Sequence, residues 1–427
     1  MSTRIVIQNG RLLDPANKLD RVAHLYIEQG VIVGIDKTPA NFKADHIIDA
    51  NKQWVIPGVV DLAARLREPG AEYKTTIATE TRAAANAGIT TLCLPPDTDP
   101  VIDEPAVVEL IQQRALSAGG AKLQTLGALT VGLKGEQLSE MLALKQAGCL
   151  GVSNAFKPLS NNRVLRRAFE YAATFDLTVH ISPMDLALSA DGVAHDGYIA
   201  AQLGLMGIPV SAETSALAQC LILIEEVGVK AHFGRLSAAR SVEMIAVAKQ
   251  RGLNITADVA AHQLLLNDSA IAHFDARAHV LPPLRDETDR LGLLAGIRNG
   301  SIDAICSDHQ PHESDAKANP FPMTAPGISA LETLLPLCLK LVATQQLDLS
   351  TVLTCLTRKP AEILGLSVGQ LAVNTPADIA IINPNANWTL NSAQMISRGH
   401  NTPFDGWAFN HQVQLTLVNG KIIERDL

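Results

Sequence analysis

Short runs of apolar and β-branched residues alternate with segments of helical periodicity through the middle of the chain. Eight such runs qualify as strands, at residues 59–66, 90–96, 123–131, 149–154, 177–183, 230–237, 253–260 and 302–308. The intervening segments repeat apolar residues at helical spacing, as in 104–116, 135–147, 162–174 and 239–251. This alternation predicts an α/β fold, a (β/α)8 TIM barrel whose functional residues lie at the carboxyl ends of its strands.

The two ends of the chain follow a different pattern. Residues 1–56 and 365–427 contain short alternating strands separated by turn residues, as in RIVIQNGRLLD and QLTLVNGKIIERD. Such strands cannot belong to a parallel barrel built with helices. We therefore predict a small β domain assembled from both ends, with the barrel occupying residues 57–364.

Composition limits the classes of partner. The 427 residues are 47% hydrophobic and 18% charged, enough apolar material for one large barrel and an attached domain. A formal net charge of -8 without any basic run argues against a nucleic-acid surface. No apolar run approaches the roughly 18 residues of a membrane helix, no export signal begins the sequence, and the six cysteines are scattered singly. We expect a cytoplasmic protein without membrane insertion.

Several segments of the predicted barrel match blocks of a known enzyme family. Residues 57–70, PGVVDLAARLREPG, are similar to the block PGxxDxHxHLREPG, and residues 303–312, DAICSDHQPH, to DxIxTDHAPH. Further matches are PPLR at 282–285, APGISALET at 325–333 and NTPF at 401–404. One such block alone is weak, but the ordered set resembles the dihydroorotase family of the amidohydrolase superfamily nearly end to end.

The resemblance implies a metal-dependent activity. Such enzymes close N-carbamoyl-aspartate to dihydroorotate in pyrimidine synthesis, and run the reverse hydrolysis, with zinc ions that activate a hydroxide. Zinc requires His nitrogens and carboxylate oxygens, which six positions supply in the family. Two of the six remain here, His180 and Asp308. The other four are occupied by Ala63, Arg65, Asn154 and Arg235.

The two arginines change the chemistry of the site. Each replaces a neutral histidine, and a guanidinium repels a metal ion, so we expect neither zinc nor another cofactor. Because a buried carboxylate needs a partner, we expect Asp308 to pair with Arg65 or Arg235. His232 could replace a ligand only by breaking the match at 237–241. Further barrel histidines are expected at the surface or behind the site: His195, His262, His273, His279 and His309.

The positions that bind substrate in the family are partly kept. Arg67 matches the arginine that clamps the substrate carboxylate, and His312 matches a histidine that contacts substrate. Asp97 and Asp99 replace asparagines, and Leu281 replaces a third. A carboxylate facing a dicarboxylic substrate is unfavourable, because like charges ~4 Å apart at an effective dielectric of ~20 repel by several kcal/mol.

Two hypotheses of different classes remain. The first is a non-catalytic assembly subunit: bacterial dihydroorotase-like chains without metal ligands resemble partners of aspartate transcarbamoylase, so the resemblance implies that homodimers of this chain bridge transcarbamoylase catalytic trimers. The second is an amidohydrolase with altered chemistry, which holds one weakly bound metal on His180 and Asp308 and acts on another cyclic amide. Arg65 and Arg235 favour the first hypothesis.

Overall fold

A barrel of parallel strands forms the centre of the computed structural model, which describes residues 3–423. Its eight strands are Val59–Asp61, Ile89–Leu94, Lys122–Thr125 continued by Gly127–Ala128, Gly151–Ser153, Thr178–Ile181, Ala231–Phe233, Ile255–Ala260 and Ala304–Cys306. Every neighbouring pair is parallel. The predicted (β/α)8 barrel is confirmed, with strands shorter than the apolar runs that predicted them.

The barrel closes between its first and eighth strands, just beyond their ends. The His309 amide donates to Ala63 O at 3.1 Å, and the Arg65 amide donates to His309 O at 2.9 Å. Ala64 and His309 are parallel bridge partners. The seam thus holds position 65 beside the carboxyl end of strand eight, although the two are far apart in sequence.

Helices surround the barrel. The main ones are Ile77–Asn86, Pro105–Ala118, Met141–Ala147, Asn162–Thr174, Val210–Val227, Ala239–Gln250, Glu287–Arg298 and Leu331–Ala343. Shorter helices are Leu186–Ser189, Tyr198–Leu203, Leu349–Leu356 and Arg358–Ile363. Among the residues described, none of these helices has both the length and the apolar character of a membrane span.

The helix predicted at 135–147 is the main local error. Only Met141–Ala147 is helical, because the chain first makes a turn through Gly132 and Gly135, whose φ angles are 59° and 72°. Left-handed backbone of this kind ends helical continuity and is accessible to glycine at little cost. The apolar periodicity was present, but the turn residues outweighed it.

A second sheet combines both ends of the chain. Its strands are Arg4–Asp14, Leu19–Glu28, Val31–Ile35, His46–Asp49, Trp54–Pro57, Ile379–Asn383, Gln412–Val418 and Lys421–Ile423. The antiparallel pair Trp54–Pro57 with Ile379–Asn383 joins the N-terminal strands to the C-terminal ones. Two small ribbons lie elsewhere, Ala194–His195 with Gly207–Ile208 and Trp388–Thr389 with Ala408–Phe409.

Small apolar side chains fill part of the barrel interior. Ala63, Cys93, Ala260 and Cys306 are each at most 1% exposed and belong to one cluster. Ala260 and Cys306 are the last residues of strands seven and eight, and Cys306 Sγ donates to Asp258 at 3.4 Å. The cluster therefore borders the polar residues at the carboxyl ends of the strands, where the sequence predicted the site.

A buried network ties the barrel seam to the outer layers. His309 Nδ1 accepts from the Ala330 amide at 3.0 Å, so its Nε2 carries the proton and donates to Glu80 at 2.9 Å. Ser397 Oγ also donates to Glu80, at 2.7 Å. Burial alone would raise the pKa of Glu80, but these hydrogen bonds outweigh it and lower the pKa. One carboxylate thus joins strand eight, a helix and the C-terminal segment.

We predict that Glu80→Ala lowers the free energy of unfolding by about 3 kcal/mol, because it leaves the His309 and Ser397 donors buried without an acceptor. Urea unfolding followed by circular dichroism measures the loss. The matched control is Glu109→Ala on an exposed helix face, which should stay within about 0.5 kcal/mol of the wild type. Equal effects of the two substitutions would show that the network does not stabilise the fold.

Candidate functional site at the carboxyl ends of the strands

Two arginines and an aspartate form the centre of the site. Arg65 follows strand one, Arg235 follows strand six, and Asp308 follows strand eight. Asp308 Oδ1 lies 3.5 Å from Arg65 Nη1 and 3.8 Å from Arg235 Nε. All three side chains are at least nine-tenths buried. The pairing predicted for Asp308 thus involves both arginines.

These contacts are ion pairs at close range without full hydrogen bonding. Asp308 Oδ1, both terminal nitrogens of Arg65 and Arg235 Nε lack a hydrogen-bond partner among the described residues. Burial raises the pKa of Asp308 to about 6, and the charges of Arg235 and Arg65 oppose that rise. The two neighbouring cations therefore favour the ionised form of a carboxylate that burial disfavours.

Phe156 contacts both guanidinium groups with its ring. The Cζ atoms of Arg65 and Arg235 are each 4.6 Å from the centre of its ring. This half-buried residue comes from the loop after strand four. A guanidinium over an aromatic face is attracted by about 0.5–2 kcal/mol, so the ring holds two like charges together that would otherwise repel each other.

Asp97 completes the charge balance around Arg65. Its Oδ2 accepts from Arg65 Nε at 2.8 Å. Burial alone would raise the pKa of Asp97, but the charge and hydrogen bond of Arg65 outweigh it and lower the pKa. Asp97 matches an asparagine of the family's motif, and Arg65 matches a histidine. The two residues that differ from the motif are therefore partners of each other.

Asp258 is a site residue that the sequence reading missed. It lies on strand seven, accepts from the Arg235 amide at 2.6 Å and bonds His232 Nε2 at 2.8 Å. His232 Nδ1 bonds Thr256 Oγ1 at 2.9 Å. Strand alternation places Thr256 and Asp258 on one face, a signal that could have found this pair. His232 is engaged within the barrel wall and is not a substitute for position 235.

Two of the replaced positions face away from the charged centre. Asn154 Oδ1 accepts from Thr130 Oγ1 at 2.7 Å, and its amide donates to Leu133 O at 3.3 Å. Asn154 thus anchors the loop that follows strand three. Ala63 belongs to the apolar cluster inside the barrel. Neither presents a donor atom to Asp308.

His180 keeps a position near the centre without a hydrogen bond. Its Nε2 is buried without a partner, and its ring lies 5.2 Å from that of His232. Burial lowers the pKa of His180 well below its usual value, and the nearby His232 acts in the same direction. The imidazole is therefore neutral. The neighbouring His232 is bonded to Thr256 and Asp258 and not to His180.

Arg67 and His312, the two positions matched to substrate binding, contact each other. Arg67 Nε donates to Pro311 O at 3.1 Å, and its Nη2 lies 3.2 Å from His312 Nε2. Lys74 Nζ donates to His312 Nδ1 at 3.0 Å, and His312 Nε2 donates to Pro326 O at 3.0 Å. Burial, with the charges of Arg67 and Lys74, lowers the pKa of His312 to about 3. The ring is neutral and already bonded on both sides.

The remaining barrel histidines divide between interior and surface. His195, His262, His279 and His309 are all at most 8% exposed, whereas His273 is exposed. The first four are thus not surface residues, because hydrogen bonds or apolar walls enclose them. His309 supports the barrel seam directly behind Arg65.

Comparison with known proteins places this geometry in a family. Residues 52–241 match the family model described as dihydro-orotase-like. The chain is 49% identical over 418 residues to a dihydroorotase-like protein of Pseudomonas aeruginosa, covering 98% of this chain and 99% of that protein. It is 42% identical over 424 residues to a dihydroorotase of Syntrophotalea carbinolica, covering 99% of both. The chain belongs to the dihydroorotase-like family.

Solved structures agree with the dihydroorotase-like fold. An L-hydantoinase (dihydropyrimidinase) from Arthrobacter aurescens superposes with a TM-score of 0.88 at 22% identity, covering 99% of this chain and 96% of that one. A dihydropyrimidinase from Brevibacillus agri gives 0.84 at 19% identity, covering 100% and 95%. At this identity the likeness concerns the fold.

The donor set of this dihydroorotase-like chain does not fit zinc. Within residues 3–423, no three His, Cys, Asp or Glu side chains are placed together to hold a metal ion. Guanidinium groups lie 3.5 and 3.8 Å from the Asp308 oxygen that a cation would need. Two fixed cations thus lie beside the carboxylate that a metal ion would have to share, and their charge opposes its binding. That the purified protein lacks zinc stays a prediction.

The low pKa of His312 predicts a specific pH dependence of stability. A histidine in the unfolded chain has a pKa of about 6.5. Below that pH the unfolded chain binds a proton at position 312, whereas the folded protein does not, because the pKa of folded His312 is about 3. The free energy of unfolding therefore falls as the pH drops below about 6.5. Between pH 7 and pH 5 this one residue contributes a loss of about 2 kcal/mol. The variant His312→Gln should lose correspondingly less stability over that range.

Urea unfolding at both pH values measures the difference. The control is His273→Gln, an exposed histidine whose replacement should leave the pH dependence of the wild type unchanged. Identical pH dependence in the His312→Gln variant and the wild type would mean that His312 titrates in the folded protein as it does in water.

Proposed function

We propose that this chain is a non-catalytic dihydroorotase-like subunit that assembles with the aspartate transcarbamoylase catalytic chain in de novo pyrimidine biosynthesis. The observation that carries the proposal is the Arg65–Asp308–Arg235 cluster around Phe156. It stands where the family's motifs place the metal ligands. Hydrolysis of an amide ring needs an activated hydroxide, closure needs a Lewis acid that takes up the hydroxide leaving the carboxyl group, and a pair of guanidinium ions supplies neither.

The substrate-binding positions support the same conclusion. Arg67 and His312 contact one another and bond backbone oxygens, and Lys74 fills the other nitrogen of His312. A dicarboxylic substrate would also meet the Asp97 carboxylate. Binding would therefore require several internal bonds to break in exchange for new ones, which weakens affinity.

A protein without catalytic activity can still act by binding a partner protein. One long connection of the barrel, here called the insertion, exposes an apolar surface for such binding. Between strand five and helix Val210–Val227, the chain exposes Leu186 at 55%, Tyr198 at 78% and Met206 at 63%. Large exposed apolar side chains concentrated in one segment are typical of an interaction surface. We assign this insertion to the contact with the transcarbamoylase or with a second copy in a homodimer.

An altered amidohydrolase with one metal on His180 and Asp308 is the second candidate. The unpartnered nitrogen of His180 is the observation in its favour, since a metal would satisfy it. Against it stand the two arginines, whose charge a metal would have to displace. Metal analysis separates the two candidates directly.

We predict that protein purified without added metal contains far less than one zinc per chain and shows no dihydroorotase activity in either direction. Atomic emission analysis and ring-closure and ring-opening assays test this. Ala63→His and Arg235→His, made singly, should restore neither zinc nor turnover, because metal sites act as units. Stoichiometric zinc together with turnover that Asp308→Ala abolishes would favour the altered amidohydrolase.

We predict that co-expressed transcarbamoylase catalytic chain elutes with this protein in size-exclusion chromatography, and that it is less stable or less active when expressed alone, since binding to the folded assembly stabilises it. The paired substitution Tyr198→Asp with Met206→Asp should weaken association at least tenfold. Leu116→Asp, at an 82% exposed position on another helix, is the matched control.

Separate elution of the two wild-type proteins at micromolar concentration, with transcarbamoylase activity unaffected, would contradict the assembly role. Loss of association in the Leu116→Asp control alone would place the contact on helix Pro105–Ala118 instead of the insertion.

A further inference from the structure

A cavity of about 340 Å³ lies beside the carboxyl ends of strands four and five. It reaches outward from the barrel wall to helices Asn162–Thr174 and Val210–Val227, and its lining is mainly apolar. Leu165, Phe169 and Cys220 belong to that lining. None of Arg65, Arg67, Arg235 and Asp308 lines it, although the lining residue Ser182 accepts from Arg235, so the cavity adjoins the charged centre. Its volume falls in the range of small-molecule sites.

One imidazole of the cavity wall is unsatisfied. His180 lines the cavity, and neither of its ring nitrogens has a hydrogen bond within the part of the chain that the structure describes. Its Nε2 is fully buried and lies beside Gly151. Nδ1 is therefore the nitrogen that a molecule in the cavity can reach.

A second polar group lies two residues further along the same strand end. Ser182 lines the cavity, and its oxygen accepts from a guanidinium N–H of Arg235, which leaves its own hydroxyl proton free. Asp185 is the charged side chain of the lining, and its Oδ1 already caps helix Leu186–Ser189. No cation lines the cavity to balance an anion.

These features define the chemistry of an occupant. A charged molecule would lose its hydration without gaining a counter-ion, which apolar surroundings penalise strongly. A wholly apolar molecule would leave His180 unsatisfied. We propose that the cavity binds an uncharged, mostly apolar small molecule, with one hydroxyl or amide group bonded to His180 Nδ1 and within reach of Ser182. This inference does not depend on the assembly role.

The test uses three probes of one shape at pH 7. They are p-cresol, p-xylene and 4-methylbenzoate, which place a hydroxyl, a methyl or a carboxylate on the same ring. We expect saturable one-to-one binding of p-cresol and p-xylene to the full-length protein by titration calorimetry. The carboxylate should bind at least tenfold more weakly than p-cresol.

His180→Leu isolates the polar contact. It should weaken p-cresol about fivefold while leaving p-xylene within twofold, because it removes a hydrogen-bonding nitrogen but keeps the apolar wall. Since His180 has no hydrogen bond to lose, the variant should unfold at the same temperature as the wild type or higher. Equal weakening of both probes, or none, would overturn the role of His180.

Ala216→Phe fills the cavity from helix Val210–Val227 and should abolish binding of both probes. Ser215→Phe, at the adjacent exposed position, should leave binding unchanged. If Ala216→Phe does not fold, the probe comparison on the wild type and His180→Leu decides. Absence of saturable binding to the wild type at millimolar p-cresol and p-xylene would overturn the proposal.

Discussion

A carboxylate buried at the mouth of a barrel must have compensating positive charge, and the site of this protein is organised around that constraint. Asp308 is 1% exposed and lies within 4 Å of two guanidinium groups. Those groups in turn repel one another, and the arrangement needs Asp97, Asp258 and the ring of Phe156 to hold it. The charged centre is thus held by several residues together and not by a single ion pair.

The same constraint explains why the charged residues of the site occur together. Arg65 is hydrogen-bonded to the Asp97 carboxylate, and the guanidinium of Arg235 lies 3.8 Å from Asp308. Each arginine thus has a carboxylate close to its charge, as buried ions require. A site that had merely decayed would leave isolated charges inside the barrel. This organised electrostatic balance is compatible with a chain selected for its fold and surface.

The barrel is densely hydrogen-bonded at the seam between strands one and eight, and it has a cavity at the wall formed by strands four and five. The Glu80–His309–Ser397 network fixes strand eight to the outer layers, so Arg65 and Asp308 approach each other on a stiff frame. On the opposite side, the wall at strands four and five leaves a cavity and an unsatisfied His180. The binding site that we propose at this wall rests on that cavity and on the hydrogen-bonding capacity that His180 leaves unused.

The sequence by itself determined the barrel and the contribution of both chain ends to the second sheet. Hydrophobic periodicity and ordered motifs are formed by residues close together in the sequence, so they can be recognised without the structure. The tertiary structure alone decided that Phe156 contacts both Arg65 and Arg235, that Asp258 supports the latter, and that His180 borders a cavity. Those contacts join residues far apart in sequence, and only closure of the barrel, with the packing of its loops, brings them together.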